Sequence, residues 1–249
     1  MKISPPQSQR LLDRPRLLEM LDKEKEKRVI LVLGQAAQGK STLIASWVSR
    51  FTLPTVWVNL EKEDSDSINL YYLLIQGLQR ILDTPELASL LQYPAIIMGP
   101  RGEISLHRDW TAKIYGSIPC PVRIVFDGLD RLSPEKTALR FLKILIVEAP
   151  EHIHLVVISR SNPFLGVERL RMDRNTALIE NNTLAFSVEE TRRFFSEICG
   201  IPLHFELAQK VHGLTEGWIG GLILLWETLR KLPQKEALRH LSDGLGFRF

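Results

Sequence analysis

Apolar runs alternate with amphipathic stretches along this chain, and that alternation is its first structural signal. Val29-Ile-Leu-Val-Leu33 is an unbroken apolar, β-branched run that ends on Gly34. Such a run fits a strand covered on both faces, as in a parallel sheet. Three further runs share the character: Thr55-Val-Trp-Val58, Val122-Arg-Ile-Val-Phe126 and Leu155-Val-Val-Ile158. Between them lie stretches of helical period at residues 40–50, 68–82 and 135–148. Strands alternating with helices predict an α/β sheet with right-handed crossovers. A weaker strand is expected at Ala177-Leu-Ile-Glu180.

The flanks differ. Residues 1–12 read as a loose arm, with Pro5 and Pro6 opposing helix. Residues 14–27 have helical spacing, with Leu17, Leu18 and Leu21 on one face and a charged, solvated end. Residues 93–102 carry Pro94, Gly99, Pro100 and Gly102 and read as a loop. From Ser187 the pattern is purely helical. Ser187-Val-Glu-Glu190 is a capping box opening a helix to about Ile198, which Gly200 and Pro202 end. Residues 205–212 and 218–232 supply two more helices. The expected layout is an N-terminal arm and helix over 1–27, an α/β core over 28–186 and a helical lid over 187–249.

Composition narrows the class. The 249 residues are 45% hydrophobic and 24% charged, which excludes collagen-like, disordered and disulfide-scaffold chains. A net charge of +3 is too small to imply nucleic acid by itself. Cys120 and Cys199 are far apart and fit no metal spacing, which points to a reducing compartment. The apolar stretch at 218–226 is about half of the ~20 residues a spanning helix needs. With no apolar signal core at the N-terminus, a cytoplasmic protein is expected.

The chemistry concentrates after the first strand. Gly34-Gln-Ala-Ala-Gln-Gly39-Lys40-Ser41 matches G-x-x-x-x-G-K-[ST] between an expected buried strand and an expected helix. Glycines let the backbone curl so that N–H groups face phosphate oxygens, and the helix N-terminus adds positive potential. The expected phosphate cradle comprises Gly34, Gln35, Ala36, Ala37, Gln38, Gly39, Lys40, Ser41 and Thr42. Lys40 would bridge the terminal phosphates and Ser41 would hold Mg²⁺.

Asp127, ending the Val122–Phe126 run, is the expected second metal carboxylate. Asp130 has two readings: polarising an attacking water, or capping a helix near Ser133 and Pro134. Arg160 leaves the strand expected to lie between the Asp127 strand and the phosphate-loop strand, where it would meet a terminal phosphate. Glu61 and Asp64 lie in an acidic loop with two readings: one acid approaches the nucleotide's water or metal, or most are solvated, with Ser65 or Asp66 capping the next helix. His152 and His154 have alternating spacing but no third ligand, so they mark a solvated strand start. Trp218 and Trp226 read as packing residues, and the nearby Gly217, Gly220 and Gly221 allow close backbone approach.

The class of nucleotide site follows by exclusion. No Asn-Lys-x-Asp motif is present, which favours ATP over GTP. No Leu-Ser-Gly-Gly-Gln-like signature precedes Asp127; Leu241-Ser-Asp-Gly244 falls after it. A small-molecule kinase stays open, with Arg169, Arg171 and Arg174 as lid arginines. So does a hydrolysis-dead scaffold.

The ordered motifs resemble the nucleotide-binding module of the STAND class, the signal transduction ATPases with numerous domains. They are especially similar to its MalT-like branch and to large LuxR-type regulators. The matching segments are Arg14-Pro-Arg-Leu17 with Leu21, the phosphate loop, Val56-Trp-Val-Asn-Leu60 with Glu61 and Asp64, Leu155-Val-Val-Ile-Ser-Arg160, Leu184-Ala-Phe186 and Gly217-Trp218. Asp127-Gly-Leu-Asp130 departs from the two adjacent acids usual in that branch and looks more like NACHT ATPases, except that Arg131 stands where those carry glutamate.

The resemblance implies a P-loop NTPase with a mostly parallel five-stranded sheet and a small all-helical lid. It further implies an ATP/ADP switch with Mg²⁺ and slow hydrolysis, self-association in the ATP state, and DNA contact only through domains absent from this chain. It places the Arg14–Leu17 segment near the adenine.

Overall fold

The computed structural model describes residues 2–6, 12–91, 102–161 and 172–232. Five strands form one all-parallel sheet: β1 (Val29–Leu33), β2 (Thr55–Asn59), β3 (Val122–Asp127), β4 (Ile153–Ser159) and β5 (Thr176–Ile179). Their spatial order is β2-β3-β4-β1-β5. Every residue of β1 is buried, as its apolar run predicts for a central parallel strand. β4 lies between the strand carrying Asp127 and the strand preceding the phosphate loop, as expected. The register sets Leu33 beside Ser159 and Asp127 beside Ile158. The carboxyl ends of β1, β3 and β4 therefore finish level, and the loops leaving them share one edge of the sheet.

Helices cover both faces. α1 (Pro15–Lys23) and α2 (Lys40–Val48) pack on one face, where Leu17, Leu21, Ile44 and Trp47 bury against Ile30, Val32 and Val156. α3 (Ser67–Gln79), α4 (Pro85–Leu91), α5 (Gly102–Gly116) and α6 (Ala138–Val147) cover the other with Tyr71, Leu87, Trp110 and Phe141. Each fully buried side chain of this size contributes about 1.5–3 kcal/mol, so the sheet is held from both sides.

The C-terminal part is helical. A short α7 (Asn181–Leu184) leads into α8 (Val188–Arg193), which runs on as a π-helical turn over Phe194–Ile198. α9 (Phe205–Thr215) and α10 (Ile219–Leu229) follow. Phe195, Leu207, Val211, Leu222 and Leu225 form a core of their own. Ser187 and Glu190 make the anticipated capping box.

Several boundaries differ from the sequence expectation. Pro15 starts α1, and the charged run beyond Lys23 is outside it. α6 begins at Ala138 rather than 135, because the segment after Pro134 is a turn. Trp218 is the N-cap of α10 and not its first turn. Helices α4 and α5 were not anticipated. The loop expected at 93–102 lies outside the described residues except for Gly102, which opens α5. Arg123, read as part of an apolar strand, is buried with its guanidinium 4.2 Å from the Trp47 ring centroid.

Candidate functional site

Backbone partners shape the loop after β1. Gly34 N–H donates to the Ser159 carbonyl (3.1 Å), and Gln35 N–H donates to Asn181 Oδ1 (2.8 Å). Ala37 and Gly39 adopt left-handed φ values of 55° and 73°. Such turns aim successive amides at one point, here the N-terminus of α2. Lys40 Nζ reaches back to the carbonyls of Gly34 (2.5 Å) and Gln35 (2.7 Å). An ammonium has three protons, so one donor remains for a ligand. Burial lowers the Lys40 pKa, as does Arg160, while Asp130 and Asp127 oppose them.

A polar cavity of about 230 Å³ opens above this loop. Residues 36–42 form its floor, and Asp127, Asp130, Arg131 and Arg160 its walls. Lys40, Arg131 and Arg160 face two carboxylates, so the formal balance is one positive charge. Such a cavity suits an anion that brings a divalent cation with it. Asp127 ends β3 with the Ser41 hydroxyl beside its carboxylate. Burial raises the Asp127 pKa, with Asp130 adding, against Ser41, Arg131 and Lys40. A hydroxyl beside a carboxylate is the all-oxygen donor pair that Mg²⁺ takes while keeping several waters. Among the described residues no group of three or more His, Cys, Asp or Glu side chains is placed to hold a metal.

Two anticipated cradle residues stand apart from this cavity. The amides of Gly34 and Gln35 already have protein partners, and Gly34 lines a neighbouring polar cavity with Asn181 and Arg160. Gly34 has a different role: a Cβ there would lie 2.8 Å from Leu184 Cδ1 and 2.9 Å from Asn181 Oδ1. Asp130 caps no helix near Ser133. Its carboxylate accepts the Arg160 backbone N–H (2.9 Å) and lies 3.6 Å from that guanidinium. Glu61 and Asp64 are absent from the cavity walls; both pair with Lys2, and they cap their own turn. Asp66 caps α3 through Ile68 N–H, as anticipated. His154 Nδ1 contacts the Lys27 carbonyl at the opposite end of the sheet.

An apolar cavity of about 350 Å³ adjoins the polar one and shares the wall formed by Ala37, Gly39 and Thr42. Phe186, Phe194, Ile219 and Ile223 supply its apolar surface. Arg14 lines it too, stacked 4.4 Å from the Phe186 ring centroid. Its guanidinium donates to both Glu190 oxygens and to the Leu184 and Ala185 carbonyls, at 2.8–3.1 Å. Leu17, by contrast, is wholly buried beneath α2. Of the arginines considered as a kinase lid, Arg169 and Arg171 lie outside the described residues. Arg174 sits before β5, beside Lys27, at the far end of the sheet from the phosphate loop.

Sequence reasoning missed three participants. Asn181 holds Gln35 from a segment with no motif of its own. Arg131, noted only as a departure, lines the polar cavity. Trp218, read as packing, donates its indole N–H to the Ala36 carbonyl at 2.8 Å.

A strand–loop–helix turn at the carboxyl edge of a parallel sheet, with a carboxylate on a second strand, is the arrangement of a P-loop domain, here one similar in sequence to that of MalT. The family described as Nephrocystin 3, N-terminal, matches residues 7–160, more than half of the chain, and the chain belongs to that family. It is 25% identical over 218 residues to the HTH-type transcriptional regulator MalT of Vibrio campbellii, covering 85% of this chain and 23% of that protein. It is 27% identical over 225 residues to the serine/threonine-protein kinase PknK of Mycobacterium tuberculosis, covering 88% and 20%. The chain thus spans less than a quarter of the length of these curated relatives. In fold it is similar to a Walker-type ATPase of Pyrococcus abyssi (TM-score 0.56, 16% identity, 94% of this chain and 72% of that one). No described helix is long and apolar enough to cross a membrane.

Proposed function

We propose that this domain is an ATP/ADP-binding switch with slow Mg²⁺-dependent hydrolysis, serving a larger regulatory protein. One observation carries the reading: a cationic cavity and an apolar cavity meet across the wall of Ala37, Gly39 and Thr42. A nucleotide has the matching halves, an anionic chain and a flat apolar base. Lys40, the amides of the loop and the N-terminus of α2 hold the phosphates. Ser41 and Asp127 hold Mg²⁺, which when bound neutralises phosphate charge and polarises the terminal phosphoryl group. The base rests against Phe186, Ile219 and the Arg14 guanidinium. Thr42 lies at the junction of the two halves.

Slow turnover follows from the carboxylates. Asp127 has the Ser41 hydroxyl beside it, and Asp130 is engaged by Arg160. Both carboxylates are thus drawn toward protein partners, which weakens either as a base toward water. The ligand then acts through position: its base touches Phe186, just before the helical segment, and Ile219 within it, and its phosphates touch the loop. ATP and ADP differ at Arg160, and that difference biases the seat of the helical segment and self-association.

The test is calorimetric titration with ATP–Mg²⁺ and with ADP–Mg²⁺, on wild type and Lys40→Ala. Wild type binds both and Lys40→Ala loses at least tenfold. A folded wild type that binds neither nucleotide rejects the reading. The kinase alternative would require phosphate transfer to a small acceptor well above background hydrolysis. The scaffold alternative would leave partner binding intact in Lys40→Ala.

A further inference from the structure

The chain entering α10 lies directly on the phosphate loop. Trp218 Nε1 donates to the Ala36 carbonyl at 2.8 Å. A Cβ on Gly220 would meet Ala37 Cβ at 2.9 Å, and one on Gly39 would meet Ile219 Cδ1 at 2.9 Å. Three consecutive residues, Trp218, Ile219 and Gly220, are thus seated on Ala36, Ala37 and Gly39. Trp218 is itself firmly presented. Its backbone N–H donates to Thr215, and the preceding Gly217 carbonyl accepts from Phe186 N–H.

The peptide between Ala36 and Ala37 is planar and trans, so its C=O and N–H point in opposite directions. Whatever holds the Ala36 carbonyl also aims the Ala37 N–H. Trp218 draws the carbonyl toward the helical segment, so the N–H is turned away from Trp218, and Ala36 and Ala37 both line the polar cavity. Ala37 also carries a left-handed φ of 55°, which residues with a Cβ rarely adopt.

We infer that Trp218 is a positioning residue for the phosphate loop. Its indole N–H fixes the Ala36–Ala37 peptide for anion binding, so phosphate affinity and the seating of α10 rise and fall together. The inference rests on the nucleotide reading of the polar cavity. It adds a route by which the helical segment senses occupancy through the loop backbone, independently of any contact with the base. Reciprocity is required: if seating α10 strengthens phosphate binding, phosphate binding must steady α10 equally.

The experiment compares wild type with Trp218→Phe and with β-(3-benzothienyl)alanine placed at 218, an isostere lacking only the N–H. ADP–Mg²⁺ affinity is measured by calorimetry, and amide exchange across residues 219–229 with and without saturating ADP–Mg²⁺. Losing one neutral hydrogen bond should weaken ADP about two- to tenfold in both variants. In wild type ADP slows exchange in α10; in both variants that slowing shrinks although the site is saturated. Unchanged ADP affinity in the isostere, or full ADP-dependent slowing in either variant, overturns the inference. Wild type binding no ADP would instead reject the nucleotide reading on which it stands, a result the Lys40→Ala comparison records separately.

Discussion

Asp130 holds Arg160 at two points, accepting its backbone N–H at 2.9 Å and standing 3.6 Å from its guanidinium. Both residues line the polar cavity, so the carboxylate holds Arg160 at the cavity wall. Any anion recruiting this arginine must compete with Asp130. The side chain of Arg160 is 56% exposed, so the contest is a modest one. Exposed pairs contribute about 0.2–1 kcal/mol, or up to about fivefold in affinity. Asp130→Asn should raise the ratio of ATP to ADP affinity by about two- to fivefold. Arg160→Ala should bring that ratio toward one. Calorimetric titration of both variants checks this, and an unchanged ratio in Asp130→Asn would show that the pair does not compete.

Gly217 offers a test of how the helical segment is tied down. Its φ is +71°, and a Cβ there would lie 2.3 Å from the Phe186 carbonyl oxygen. Backbone cannot yield as a flexible side chain can. Left-handed conformation alone costs alanine about 1 kcal/mol, and the collision adds to it. Gly217→Ala should lose more than about 2 kcal/mol in urea unfolding. Gly213→Ala, where a Cβ meets nothing within 4 Å, is the matched control and should be neutral or slightly stabilising.

His107 predicts a pH dependence of stability. It is fully buried in α5, and neither ring nitrogen has a hydrogen-bond partner. Burial holds its pKa below 6.5, and Arg140 adds to this; Glu103, 4.0 Å away, and Asp66 oppose them. The unfolded chain then takes up the proton first as pH falls. Stability contributed by the neutral ring is complete above the unfolded value. It declines as pH drops through about 6.5 and levels off below the folded value. His107→Leu should flatten this part of a denaturation profile between pH 7.5 and 5. A profile of wild-type slope in the variant would assign the proton uptake elsewhere.

The Glu190 carboxylate joins the N-terminal arm to the helical segment. It accepts from Arg14 and Arg16 and completes the capping box with Ser187. Burial pushes its pKa up, but hydrogen bonds from Arg14 and Ser187 and the charges of both arginines bring the net value below 4.5. A depressed carboxyl contributes stability above its unfolded pKa and loses it as pH falls through the folded one. Glu190→Gln leaves the Arg14 charge buried without its counterion, so the expected loss is about 2–4 kcal/mol at pH 7. The gap to wild type should narrow below pH 4, measured by urea unfolding at both pH values.

The sequence made the sheet legible because central parallel strands have to be apolar on both faces, and β1, β3 and β4 are nearly so. α5 was hidden for the opposite reason. Its buried stripe of His107, Trp110, Thr111, Ile114 and Tyr115 has helical spacing, but two of its members are polar. The phosphate motif located the cavity and drew Gly34 and Gln35 into it as donors. Local pattern had no means of showing that Ser159 and Asn181 engage those amides. Trp218 reads as a packing residue of the last helix, yet it lies before that helix and its bond is made to a residue 182 positions earlier. At the candidate site, what stayed illegible was in each case a tertiary partner.

The phosphate loop gets its outer supports late. Asn181 and Trp218 follow their partners in the loop by 146 and 182 residues. On a ribosome the motif is thus made long before the segments that brace it have left the exit tunnel. Nascent chains pass through a stage in which β1 and α2 exist but their junction lacks both braces. Ligand capture during synthesis would therefore reach full strength only once α10 has emerged, tying tight occupancy of the domain to the completion of its helical part.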